Sequence, residues 1–130
     1  MTARVLLAED DVDHAFFTVR AFKDAHGLDV EMHTVRDGEE AMDYLHRRGK
    51  YAGAERPHLI VLDLKMPKLS GLEVLEQIKA DESLRTIPTV MLSSSDRPED
   101  IKSSYARSAN SYVTKPASLT GLRDGVQEMA

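Results

Sequence analysis

The chain contains no cysteine, so neither a disulfide nor a thiolate-bound metal can be part of its structure. It also lacks any apolar run of about 18 residues, which excludes a membrane-spanning helix of ordinary length. The opening stretch MTARVLLAEDDVDH holds one basic residue and turns acidic where a secretory leader would continue its apolar core. A cytoplasmic location is the expectation. Internal repeats, low-complexity tracts and linker-like segments are absent, so residues 1–130 are expected to form one domain. Basic charge is in short supply, with 17 Lys plus Arg against 22 Asp plus Glu and a formal net charge of -5. That balance does not suit a partner made of nucleic-acid backbone, and no membrane partner is expected. What is present is enough for a substantial core: 130 residues, of which 42% are hydrophobic.

Apolar runs and punctuation alternate along the chain. Val5 to Ala8 is a short run ended by Glu9, Asp10 and Asp11, after which Phe16, Val19 and Phe22 recur at helical spacing. Leu28, Val30 and Met32 alternate as a strand would, and Asp37 with Glu40 reads as a capping box for a helix through Leu45. The polar, glycine-bearing piece RRGKYAGAERP, residues 47–57, reads as a surface loop. A third run, Leu59 to Leu62, breaks at the turn around Pro67, and a helix from about Gly71 places Leu72, Leu75 and Ile78 on one face. Val90 to Leu92 is a fourth run, followed by Asp96 and Glu99 as a cap around Pro98. Tyr112 and Val113 form a fifth, ended by Pro116, and Leu119, Leu122 and Val126 give a last helical pattern. Strand-like runs separated by helices, several of them apolar on consecutive residues, predict a parallel α/β sheet covered on both faces.

In such a sheet functional groups gather outside the carboxyl ends of the strands. The first strand ends in Glu9, Asp10 and Asp11, the third carries Asp63, the fourth ends in Ser93, Ser94 and Ser95, and the fifth in Thr114, Lys115 and Pro116. Carboxylates, hydroxyls and an ammonium are therefore expected at one edge. Clustered carboxylates repel one another unless a cation lies between them. A hard divalent ion such as Mg2+, which takes oxygen ligands and leaves positions for phosphate, answers that need. The acidic triplet could equally be a solvated loop feeding a helix cap, Asp63 a turn residue, and Lys115 an ordinary surface lysine.

Beside a cation, Asp63 becomes a candidate nucleophile whose oxygen attacks phosphorus to form an acyl phosphate. Lys115 would add a second positive charge, and Ser93 a hydroxyl hydrogen bond to a phosphoryl oxygen. In VLDLKMPKLSG, Met66 and Pro67 stop the strand quickly and the Lys65 carbonyl can turn back toward the metal. Gly71 supplies a tight entry to the next helix.

These residues resemble the receiver domain of bacterial two-component response regulators over essentially the whole chain. The acidic pair of that family resembles Glu9 and Asp10, and its phosphoacceptor motif D-x-x-M-P-x-x-x-G resembles DLKMPKLSG with Asp63 first. Its switch hydroxyl is similar to Ser93, its aromatic switch to Tyr112, and its lysine before a cis proline to Lys115 with Pro116. The resemblance implies a CheY-like, doubly wound five-stranded sheet in flavodoxin-like order 2-1-3-4-5. It implies Mg2+, for which Mn2+ can substitute, held by Glu9, Asp10, Asp63 and the Lys65 carbonyl. It also implies a sensor histidine kinase as partner and a phosphorylation-shifted surface as output, with autodephosphorylation slow and no separate enzyme activity. The loop at residues 47–57 resembles the stand-alone subgroup paired with phytochrome-type kinases.

With no output domain expected after Met129, the phosphorylated form would act through a homodimer, a docked partner or a downstream phosphotransfer protein. Three departures from the family stand out: Glu9 where many members have Asp, Ser108 where many have glycine, and Ala117 in place of a bulky apolar residue. Ala117 thins the surface near the fifth strand through which pairing is usual. Two rivals are a metal-dependent phosphohydrolase of the haloacid dehalogenase-like kind and a phosphorylation-independent binding module. The first would want an aspartate at position 65, which is lysine, and the second would be expected to have lost a site residue.

Overall fold

In the computed structural model, residues 2–24, 29–93 and 97–115 are described. They form β1 (Thr2–Ala8), α1 (Val12–Lys23), β2 (Asp29–Val35), α2 (Gly38–Leu45), a short 3-10 turn (Gly49–Tyr51) and β3 (Leu59–Asp63). After these come α3 (Gly71–Ala80), β4 (Thr89–Ser93), α4 (Pro98–Ala106) and β5 (Ser111–Thr114). All strand pairs are parallel, in the order β2-β1-β3-β4-β5. This is the predicted order. The final helical pattern from Leu119, together with Pro116, Ala117, Asp96 and Ser95, lies outside the described residues.

Every residue of β3 and of β4 is buried, which explains why those runs do not alternate in the sequence. Side chains still alternate between two cores. Val5, Leu7, Leu59, Val61, Val90 and Leu92 pack with Ala21 and Phe22 of α1 on one face. Leu6, Ala8, Ile60, Leu62 and Met91 pack with residues of α2 and α3 on the other. In α3, Leu75 and Ile78 are buried as expected, joined by Val74, while Leu72 is only partly covered.

Phe16 departs from expectation, being 67% exposed while Phe22 is 2% exposed. A step of three residues turns an α-helix about 60° short of a full turn, so Phe16 lies about 120° from Phe22. The buried stripe of α1 instead runs through Thr18, Ala21 and Phe22.

The segment at residues 47–57 is more than a surface loop. Tyr51 is buried and its hydroxyl donates to Glu40 Oε1. Its ring packs against Tyr44 at 5.2 Å between centroids, a contact worth about 1 kcal/mol. Arg4 pairs with Glu55 and donates to the Arg56 carbonyl, and Arg56 donates to the Ser83 carbonyl. The segment is stitched to β1, to α2 and to the chain beyond α3. This also alters the expected cap of α2: Asp37 accepts from the Glu40 amide, but the Glu40 carboxylate is turned to Tyr51. A reciprocal capping box forms instead between Ser70 and Glu73 at α3. In α4, Pro98 occupies the first turn as expected, but the N-cap is Arg97.

Two helices end in the same way. After α2 the amides of Arg47 and Arg48 bond the carbonyls of Tyr44 and Asp43, and after α4 those of Ser108 and Ala109 bond Tyr105 and Ser104. This is the Schellman pattern, which needs a left-handed residue and favours glycine there. Here Arg47 has φ 56° and Ser108 φ 69°, so the absence of glycine at 108 leaves strain in the backbone. Ser108→Gly is expected to raise stability by about 0.5–1 kcal/mol, and Ser108→Val to lower it by about 1–2 kcal/mol. Urea denaturation with an unchanged slope would read out both.

Candidate functional site

The parallel register brings the strand ends to one edge. Asp63 closes β3 and pairs in register with Leu92, while Ser93 closes β4 and pairs with Thr114, next to Lys115. Glu9 follows β1 directly and its amide bonds the Val35 carbonyl at the end of β2. The amide of Lys115 bonds the Ser93 carbonyl at 2.6 Å. Each group is thus carried on, or one step beyond, the last residue of a strand.

Glycine makes the turn after Asp63 possible. A Cβ on Gly71 would overlap the backbone carbonyl of Asp63, and one on Gly38 would overlap the Leu69 carbonyl. The Gly71 amide bonds the Leu64 carbonyl at 2.9 Å, and the Leu69 amide bonds that of Pro67 across Lys68, whose φ is 68°. Lys68 reaches Asp37 at 3.7 Å. The purpose of Gly71 is therefore close approach to Asp63, rather than a left-handed conformation.

Glu9 and Asp63 are 2% and 7% exposed, whereas Asp10 faces solvent. An oxygen from each of the three lies within 4.8 Å of the others. The ammonium of Lys115 is 2.7 Å from Glu9 Oε1 and 3.4 Å from Asp63 Oδ2. Its side chain is 9% exposed, so it is drawn in among the carboxylates, unlike an ordinary surface lysine. Lys65 contributes its amide, 3.5 Å from Asp63 Oδ1. Ser93 is buried, and Tyr112 is partly buried against the core beneath α2 and α3. Since Met91 pairs with Tyr112 and Ser93 with Thr114, Ser93 and Tyr112 point to the same face of the sheet.

Burial pushes the Glu9 carboxyl up to about 8 from an ordinary 4.5, the neighbouring Asp63 carboxyl adds to the rise, and Lys115 opposes it. Glu9 Oε2 is buried with no hydrogen-bond partner among the described residues. An orphaned carboxylate oxygen beside two further carboxylates, all hard oxygen donors, fits a divalent cation.

His14 was not anticipated from the sequence. Its Nδ1 lies 3.2 Å from Lys115 Nζ and 3.2 Å from Glu9 Oε1. The available signal was its place in the first turn of the helix that follows the acidic loop, where side chains lean back toward the strand end.

The chain belongs to the response regulator receiver domain family, whose description matches residues 5–127. Membership implies a sensor histidine kinase as the source of the phosphoryl group. Among its relatives, the probable methanogenesis regulatory protein FilR2 of Methanothrix harundinacea (strain 6Ac) is 41% identical over 125 residues, 96% of this chain and 79% of that protein. Response regulator Rcp1 of Synechocystis sp. (strain ATCC 27184 / PCC 6803 / Kazusa) is 38% identical over 123 residues, covering 95% of this chain and 83% of Rcp1. The Mn2+-bound structure of Rcp1 superposes with a TM-score of 0.82 at 38% identity, covering 96% of this chain and 89% of that one. The structure of the phosphorylated cyanobacterial phytochrome response regulator RcpA gives 0.85 at 42% identity, with 98% and 93% covered. Among the described residues, no helix is long and apolar enough to cross a membrane.

The raised Glu9 carboxyl fixes the sign of a pH effect on the metal-free protein. Between pH 5 and 8 folded Glu9 holds a proton that the unfolded chain has lost, so stability falls as pH rises through this window and levels off above it. Thermal melts in chelator should show Tm dropping by several degrees from pH 5 to pH 8. Saturating Mg2+, which replaces the proton, should flatten the trend.

Proposed function

We propose that Asp63 is the phosphoacceptor of a Mg2+-dependent signalling switch, with Glu9, Asp10, Asp63 and the Lys65 carbonyl holding the cation. One observation carries this reading: the Asp63 carboxylate ends a fully buried strand between the Lys115 ammonium and two further carboxylates. A buried anion in that position is expensive unless cations balance it. When bound, the cation neutralises the charge that gathers on the equatorial phosphoryl oxygens. Asp63 supplies the attacking oxygen. The new P–O bond forms as the P–N bond to the kinase histidine breaks, and the imidazole leaves with the electron pair and takes up a proton. Lys115 donates to a phosphoryl oxygen, and the buried surroundings of Asp63 limit access by water.

The metal reading is supported by the Mn2+-bound form of Rcp1, and pairing with a phytochrome-type kinase by the similarity to RcpA. Output proceeds through self-pairing or transfer to a downstream phosphotransfer protein. Lysine at position 65, where a haloacid dehalogenase-like phosphohydrolase would use aspartate, disfavours that rival. The convergence of Glu9, Asp63 and Lys115 disfavours a module that has kept only the fold.

Intact mass after incubation with acetyl phosphate tests the chemistry. The parent is expected to gain one phosphoryl mass with Mg2+ and almost none without it, Asp63→Asn to gain none, and Asp10→Asn to show weak Mg2+ binding and slow labelling together. A stoichiometric, hydroxylamine-labile adduct on the Asp63 variant would refute the assignment.

The signal leaves through Ser93 and Tyr112. Ser93 moves toward the phosphoryl oxygens, and the Tyr112 ring turns into the space it vacates, shifting a population already sampled. In fluorotyrosine-labelled protein the Tyr112 resonance is expected to respond to beryllofluoride in the parent and much less in Ser93→Ala. Identical responses would show that the two residues are not coupled.

A further inference from the structure

The ammonium of Lys115 has three N–H bonds, and among the described residues three acceptors from three elements lie around it. Glu9 Oε1, just after β1, is 2.7 Å away, Asp63 Oδ2, at the end of β3, is 3.4 Å away, and His14 Nδ1, on α1, is 3.2 Å away. An ammonium only donates, and with Asp11 on the Nε2 side this favours the tautomer whose proton is on Nε2 and whose Nδ1 accepts, while Glu9 Oε1, also 3.2 Å from Nδ1, draws in the opposite sense. Asp11 Oδ2 lies 4.0 Å from Nε2. Asp11 also caps α1, accepting from the amides of Asp13 and His14 through Oδ1. The imidazole is thus held from its backbone and flanked on both ring nitrogens, although the side chain is 49% exposed.

Of the three acceptors, His14 alone belongs neither to the carboxylate cluster nor to the nucleophile. A cation that takes up Glu9 weakens that carboxylate's hold on the lysine, and the Asp63 oxygen is consumed when phosphorus is attached. An uncharged acceptor on α1 keeps the ammonium at the mouth of the site through both events without competing in charge with the phosphoryl oxygens. We propose that His14 is a positioning residue for phosphoryl transfer, holding the Lys115 ammonium beside Asp63 instead of letting it collapse onto the nucleophilic carboxylate. This rests on Asp63 being the phosphoacceptor.

The test compares the parent with His14→Leu, which keeps bulk and removes the acceptor, and His14→Gln, whose amide oxygen can take its place. Labelling by acetyl phosphate is followed across a Mg2+ titration, which separates the maximal rate from the metal midpoint. Loss of one hydrogen bond to a charged group at a half-exposed position should lower the maximal rate about fivefold in His14→Leu while the midpoint shifts less than about twofold. His14→Gln should recover most of the rate. A second readout does not need phosphorylation: the 15N-detected Lys115 ammonium signal in Mg2+ and beryllofluoride should be protected from solvent exchange in the parent and His14→Gln and broadened in His14→Leu. Unchanged rate and ammonium signal in His14→Leu would overturn the proposal, as would a glutamine variant no better than leucine or a loss wholly explained by the Mg2+ midpoint. If the parent takes no label, the phosphoacceptor reading fails, and the ammonium signal alone then decides whether His14 holds Lys115.

Discussion

The arrangement depends on a charge imbalance at one edge of a sheet. Glu9 and Asp63 are buried within reach of one another, Asp10 lies at their side, and among the described residues the Lys115 ammonium compensates them. The edge is under electrostatic tension, which shows in the raised Glu9 carboxyl and in an Oε2 with no hydrogen-bond partner among the described residues. The fold supplies the rigidity that preserves this tension, because β3 and β4 are buried throughout and cannot swing their ends apart. A site so disposed takes up positive charge readily, and anything that alters the charge on Asp63 is felt by every group around it.

Most of that edge was legible in the sequence, and for a definite reason. In a parallel sheet every strand finishes at the same side, so reading the residues that follow each apolar run is enough to assemble Glu9, Asp10, Asp63, Ser93 and Lys115. Groups whose place depends on helix phase were harder to read. Three-residue spacing suggested a buried Phe16, but the helix axis carries it round to solvent, and the same phase brings His14 to Lys115. Competition between partners was invisible as well: Asp37 and Glu40 fit a capping box by spacing, and only the folded position of Tyr51 diverts the Glu40 carboxylate.

The segment at residues 47–57 shows the limit of composition as a guide. Two glycines and several charges suggest a solvated loop, but Tyr51, Glu55 and Arg56 make specific bonds to three other parts of the chain. Its effect reaches the phosphorylation turn by short steps, since Glu40 shares the first turn of α2 with Gly38, which sits against the Leu69 carbonyl, and follows Asp37, which pairs with Lys68. The loop and the turn after Asp63 therefore both brace the same helix start.

The short bond between the Lys115 amide and the Ser93 carbonyl joins the ends of two neighbouring strands like a pin through two links. Displacing the end of β4 drags the backbone from which the lysine extends, and pulling on the lysine tugs back on β4. The backbones that carry the hydroxyl and the ammonium are tied to one another, and only rotation of the side chains sets the two groups apart.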